Sequence, residues 1–332
     1  MKSQLPCLVA VTSLSCLAVA CGDDTSGTGG QPPAGSGCEP TIGCPEVVSD
    51  CVAFADQAGA DTFSLRISQL TVQAPAALTD TTVKNLLSKG VTLNDGTSCQ
   101  SPDGFSLFNG DGTFNWILNF DLTAGTLRTG GAELQTDPTK PYCFLSGDIA
   151  GFDVAPLETT ISVDGNKFTI DEVRDVAVPI FTDPGDQSKV IILPLNGVRI
   201  FDTTFSTDHN CIGVFNSNLD PNNLCLPDAA TPTFVDAGNL EGYVTLEDAD
   251  AVLVPELGNA SLCTLIAGAE FTDQDTKTCL RDAGDVITFQ GDWCAGTAEG
   301  EPGSAATATC ADAVQLRATF SASGATLADS CN

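Results

Sequence analysis

The chain has 332 residues, 42% of them hydrophobic, with 43 acidic and 13 basic side chains and a net charge of −30. That length and apolar share are ample for a sizeable core. The charge balance disfavours nucleic acid as a partner, because few cations are present to replace phosphate counterions. It equally disfavours electrostatic docking on anionic lipid heads. No segment after the first twenty residues is long and apolar enough to span a bilayer as a helix, which excludes a later transmembrane helix.

The chain opens Met1-Lys2-Ser3-Gln4, and an apolar stretch without acidic residues follows over residues 5–20. A charged start, a short apolar core and small residues at its end make residues 1–20 a secretory signal. The core is too short, and too rich in Ser, Thr and Cys, for a transmembrane helix. It ends Leu17-Ala18-Val19-Ala20-Cys21-Gly22 and runs into a polar, Gly/Pro/Ser-rich segment up to residue 37. Such a composition buries too little apolar surface to fold.

This junction resembles the lipobox of bacterial lipoproteins, with Ala18 standing where Leu is usual. The resemblance implies cleavage before Cys21, a diacylglycerol on its thiol and acylation of the new N-terminus. Each buried methylene adds about 0.8 kcal/mol, so several chains together anchor stably where one is marginal. Residues 21–37 then form a tether, and the domain stands at the cell envelope, on the outer rather than the inner membrane, facing periplasm or exterior. The other reading is an ordinary signal peptide cut at Ala18-Val19-Ala20, with Cys21 incidental.

Beyond the tether, Cys38, Cys44 and Cys51 form a cysteine-dense neck. Residues 63–72 read as a strand, since Phe63, Leu65 and Ile67 alternate with Ser64, Arg66 and Ser68. Residues 78–90 read as a helix capped by Thr79 or Asp80 and ended by Gly90. Residues 114–122 alternate again and place Trp116 on an apolar face. Ala124-Gly125 turns the chain into residues 126–129. Residues 160–170 give the clearest hairpin, because Asp164-Gly165-Asn166 sits between alternating runs. Residues 176–181, 190–195 and 198–205 are separate β-branched and aromatic runs divided by turn residues. In the last third, 240–246 and 286–289 read as strands, 260–267 as a short helix, and 314–320 as a strand or short helix. The pattern is mainly β: an antiparallel β-sandwich or jelly-roll-like fold, disulfide-stapled, with a few short helices. Residues 38–235 are assigned to the β-sandwich, and 236–332 to a Cys-rich mixed extension packed on the same domain.

Of 15 cysteines, Cys7 and Cys16 lie in the signal and Cys21 is the lipid site, leaving 12. An even set in an exported protein reads as disulfides. Cys211 with Cys225 and Cys294 with Cys310 are the local candidates, each bracketing a turn-rich loop. There is no Cys-x-x-Cys and only one histidine, so zinc spacing is missing.

That histidine, His209, is the only base available to a nucleophilic Ser or Cys, and no Gly-x-Ser-x-Gly elbow accompanies it. It reads as a loop residue beside a disulfide. Asn109 with Asp111, and Asp208 with Asn210, are oxygen-rich pairs to which calcium could bind, although Asx turns that close hairpins look the same. Carboxylate pairs for glycan hydrolysis are too abundant to single one out. Trp116 and Trp293 could stack on a sugar, but an alternating strand makes Trp116 a core residue. Leu193-Pro194-Leu195-Asn196-Gly197-Val198-Arg199-Ile200 and His209-Asn210-Cys211-Ile212-Gly213-Val214-Phe215-Asn216 are similar to segments of large uncharacterised lipoproteins of environmental Gram-negative bacteria, a resemblance that implies no activity. The sequence therefore points to an envelope lipoprotein with a non-catalytic binding or structural role. Its partners would be the bilayer through acylated Cys21 and a polysaccharide, small ligand or envelope protein, with no cofactor beyond calcium. The alternative is a secreted, carboxylate-dependent glycan hydrolase.

Overall fold

The structure, a computed structural model, describes residues 51–79, 91, 112–219, 231–255, 258–296 and 302–328. The fold is mainly β and antiparallel, sandwich-like, and stapled by disulfides. In chain order the strands begin with β1 (Thr62–Ala74), followed by a 3-10 turn at Ala76–Thr79. Three hairpins come next: β2 (Trp116–Asp121) with β3 (Thr126–Gly131), β4 (Gly147–Ile149) with β5 (Phe152–Val154), and β6 (Leu157–Asp164) with β7 (Lys167–Ile170). Then come β8 (Val176–Phe181), β9 (Val190–Phe201), β10 (Thr203–Thr204), β11 (Cys211–Ile212), β12 (Val214–Phe215), β13 (Phe234–Val235) and β14 (Gly238–Thr245). Helix α1 (Leu246–Ala251), β15 (Leu253–Val254), β16 (Ala260–Ser261) and helix α2 (Leu262–Ala267) follow. The chain ends with β17 (Trp293–Cys294), β18 (Ser304–Ala305) and β19 (Ala313–Gly324).

The main sheet runs β10-β7-β6-β3-β2-β1-β19-β14-β9-β8. Its two ends meet. After the single residue Asp202, β10 continues β9, and it pairs with β7 through Thr203 with Phe168 and Thr204 with Lys167. Val173 and Val198 exchange both backbone hydrogen bonds, at 2.8 and 2.7 Å, and the Phe205 amide donates to the Asn166 carbonyl at 3.0 Å. The strands β1, β2, β3, β6, β7, β9 with β10, β14 and β19 thus form a closed ring, and β8 flanks the first half of β9. The sandwich is one curled sheet closed on itself. Eight closed strands leave an interior just wide enough for side chains to fill or for one small ligand.

Strand alternation decides what faces that interior. Phe63, Leu65 and Ile67 of β1, Trp116, Leu118 and Phe120 of β2, and Phe168 and Ile170 of β7 belong to one buried core. At one end Phe63 stacks on Phe120 (4.7 Å between ring centroids), Phe168 stacks on Phe205 (5.7 Å), and His209 stacks on Phe63 (4.4 Å). These rings plug the barrel.

The opposite face of β1 departs from the simple alternation. Ser64, Arg66 and Ser68 are buried too, because residues 114–115 and 142–144 cover that side of the sheet. Arg66 is 1% exposed, and among the described residues no carboxylate pairs with it. Its guanidinium donates to Asn115 Oδ1 (3.1 Å) and to the carbonyls of Ile67 (2.8 Å), Phe114 (2.9 Å) and Val91. Burial lowers its pKa, and burial raises that of the neighbouring Tyr142.

Several expectations change. Residues 190–195 and 198–205 do not form two strands: β9 runs through Asn196-Gly197, which forms a bulge opposite β14 rather than a turn. Gly197 has φ +58°, and a Cβ there would lie 2.7 Å from the Tyr243 ring. Residues 286–289 form no strand. Val286 is held in a tight loop, its amide on Asp282 Oδ1 and its carbonyl on the Asp282 amide, and Ile287 makes one isolated bridge to Arg281. Residues 314–320 belong to a strand, β19, which lies between β1 and β14. Segment 236–332 therefore supplies two central strands of the same sheet. The helix expected over 78–90 begins as the 3-10 turn, and its remainder lies outside the described residues.

Three disulfides join pairs of described residues: Cys51–Cys211, Cys263–Cys279 and Cys294–Cys310. The pairing of Cys211 with Cys225 is corrected. Cys211 meets Cys51 because the residues before β1 run alongside the 206–211 loop, with the Gln57 amide on Asn210 Oδ1 (2.7 Å) and the Ala60 carbonyl on His209 Nδ1 (2.9 Å). Cys225 lies outside the described residues.

Replacing Arg66 by Met keeps most of the volume but leaves Asn115 and three carbonyls short of a donor. Arg66→Met is expected to lower unfolding free energy by about 2–4 kcal/mol, seen as a lower urea midpoint at unchanged slope. An unchanged midpoint contradicts the structural role given to this cation.

Candidate functional site

Beyond the aromatic plug the barrel is hollow. A cavity of about 280 Å³ lies among Ile67, Leu70 and Val72 of β1, Val176, Val178 and Ile180 of β8, and Leu193, Leu195, Val198 and Ile200 of β9. Ile170, Leu240 and Leu316 add wall from β7, β14 and β19, and Leu262 and Leu265 add wall from α2. Among the described residues, no charged side chain lines it. Its polar groups are few. Trp116 Nε1 donates to Thr129 Oγ1 (2.8 Å), which itself donates to the Ile117 carbonyl (2.8 Å), so both are engaged. Thr113 and Thr182 lie together at one part of the wall, where the Phe181 amide donates to the Thr113 carbonyl at 3.1 Å.

One side of the cavity is walled by the α1–α2 segment, and local chemistry fixes both helices. Thr245 caps α1 by accepting from the Asp248 amide, and Ser261 caps α2 by accepting from the Thr264 amide. Asp250, buried on α1, ties the segment together: its carboxylate accepts from the Ser261 hydroxyl (2.8 Å) and the Cys279 amide (2.7 Å) and pairs with Arg281 (3.0 Å). Glu247 also pairs with Arg281, at 2.6 Å, and with Asp250 it raises the guanidinium pKa. The Cys263–Cys279 bridge closes the same unit.

An apolar cavity is costly to leave empty. At about 24 cal/mol per Å³, this one corresponds to something on the order of 7 kcal/mol. That is comparable with the whole stability of a typical domain.

Of the residues singled out in the sequence, Trp116 lines the cavity and the other described ones lie elsewhere. Asp208 and Asn210 are together, but their oxygens close a turn. Asp208 accepts from the Ser206 hydroxyl (2.5 Å) and from Asn210 Nδ2 (3.0 Å), while Asn210 Oδ1 accepts from the Gln57 amide. Asn109 and Asp111 lie outside the described residues. His209, between Asp208 and Asn210, has φ +60° and packs its ring on Phe63 and Phe205. Trp116 is buried and lines the cavity, whereas Trp293 is half-buried on β17, with its indole nitrogen under Gly303. Two groups bring an Asp near two sulfurs, Asp250 with Cys263 and Cys279, and Asp312 with Cys294 and Cys310. In both the sulfurs are bonded to each other, which removes the thiolates a metal needs. The carboxylates that shift, Asp137, Asp183, Asp186, Asp208 and Asp273, all shift downward, opposite to what a general acid requires. The cavity itself went unseen in the sequence. Its trace is the pair of runs at β8 and β9, where apolar residues follow one another without alternation. Compared with protein-family models, curated proteins and solved structures, the chain matches none.

The Asp208 carboxyl is held below the usual carboxylate range, first by the Ser206 hydroxyl and then by Asn210. A depressed folded pKa gives stability that is present above the unfolded value, about 3.9, and lost as pH falls through the folded one. Wild type is therefore expected to exceed Asp208→Asn in denaturant midpoint near neutral pH, and to match it in strongly acidic solution. An equal gap at both pH values contradicts this account.

Proposed function

We propose that this chain is a lipid-anchored, extracytoplasmic protein with a non-catalytic binding role at the cell envelope, and that its ligand sits inside the barrel. The observation that carries this reading is the apolar cavity, whose wall holds no charged group among the described residues and no nucleophile–base pair. A site so lined can retain a small molecule but offers nothing to transfer a proton or stabilise a charge. His209 and Asp208, which could have served catalysis, are engaged in a turn and an aromatic stack. The disulfides among the described residues support an oxidising compartment. The lipobox at Cys21 and the tether after it supply the anchor, on the outer rather than the inner membrane. No observation favours the glycan hydrolase reading.

The anchor is tested by intact mass and detergent-phase partitioning. The wild type is expected to carry the mass of acyl chains on a chain beginning at Cys21 and to enter the detergent phase, while Cys21→Ser carries none and stays in the aqueous phase. Wild type without lipid mass, or a variant that still partitions into detergent, contradicts it.

A further inference from the structure

Resting on the reading that the cavity holds a ligand, we infer that this ligand is an uncharged, largely apolar small molecule with a neutral polar end beside Thr113 and Thr182. Size comes first. At about 280 Å³ the cavity is nearly twice the roughly 150 Å³ of an engineered apolar cavity that holds benzene, and just below the usual range of drug-sized sites. One small molecule fits, and a two-chain lipid does not.

The enclosure comes next. The wall is drawn from nine strands and α2, so a bound molecule is surrounded by apolar side chains on most sides.

Charge is the third constraint. Among the described residues, no Lys, Arg or His lines the cavity to meet a carboxylate or phosphate, and no Asp or Glu lines it to meet an amine. An ionised head would lose its hydration without a counter-ion. Polarity in the wall is confined to three threonines and the indole of Trp116. Thr129 and Trp116 are engaged with each other. Thr113 and Thr182 remain, adjacent in space; the Thr182 hydroxyl donates to the Lys189 carbonyl (3.5 Å) and keeps its acceptor lone pairs, so the two offer the place for an alcohol, ester or amide.

The test uses the full mature chain carrying Cys21→Ser, purified without detergent and stripped of bound apolar material on a hydrophobic resin. Decanol and decanoate at neutral pH are compared by native mass spectrometry and calorimetry. They share one chain and differ in whether the polar end is charged. Decanol is expected to bind one per chain, at least tenfold more tightly than decanoate. Val178→Phe, which fills the cavity, is expected to weaken decanol at least tenfold without lowering the melting temperature of the ligand-free protein by more than a few degrees. Leu240→Phe serves if Val178→Phe does not fold. Binding of decanoate as tight as decanol overturns the ligand class and leaves the binding role standing. No binding of either, or binding that neither filling variant weakens, overturns the cavity as ligand seat and with it the binding role.

Discussion

A strand inside a sheet has two rows of backbone groups to satisfy, and β9 meets this demand with neighbours from four places in the chain. β14 occupies one edge through Asn239 with Phe201 and Leu240 with Ile200. The other edge is shared by β8 at residues 190–195, by Val173 at Val198, and by β7 through the continuation β10. The join is made at Asp202, a non-glycine residue at φ +45°, whose amide donates to Thr169 Oγ1 (3.3 Å) and whose carboxylate pairs with Lys167 (3.1 Å). Without that seam β7 would be an open edge, and a long sheet would present its backbone to any passing strand. With it, the interior becomes a closed space, and whatever the side chains fail to fill is a cavity rather than a cleft.

The two ends of that space are built differently. Phenylalanines fill one completely, with His209 as a fifth ring whose Nδ1 is anchored on the Ala60 carbonyl. Aliphatic side chains line the other end without meeting, and a helical segment held by Asp250, Arg281 and a disulfide covers it. Covering an unfilled space with a satisfied polar network and a covalent staple keeps it from collapsing. The stability lost to the void is offset by burial elsewhere, including the outer face of β1, where Arg66 organises four acceptors on a side that a simple sandwich leaves to solvent.

Local signals in the sequence located much of this. Asp164-Gly165 marks the β6–β7 hairpin, with Gly165 at φ +61° as the turn demands, and the alternation around Trp116 places that ring in the core. Non-local features left no such mark. Arg66 alternates with apolar residues and so reads as solvent-facing, because its cover comes from distant segments. Asn196-Gly197 reads as a turn because a bulge uses the same left-handed glycine. Cys211 pairs with Cys51 because of where β1 begins, which no spacing of cysteines encodes. The cavity is hidden for a related reason: its walls use the same Leu, Ile and Val as a filled core, and only the closed geometry distinguishes the two.

Closure of the sheet is the central claim, since both the cavity and its ligand depend on it. Residue-resolved amide hydrogen exchange by NMR tests it most directly. The amides of Val173, Val198 and Phe205 bridge the seam in hydrogen bonds to Val198, Val173 and Asn166. The account predicts that they exchange as slowly as amides of the central β1–β19 ladder, within the global unfolding limit. Exchange at these three amides as fast as in the loops would show an open sheet and contradict it.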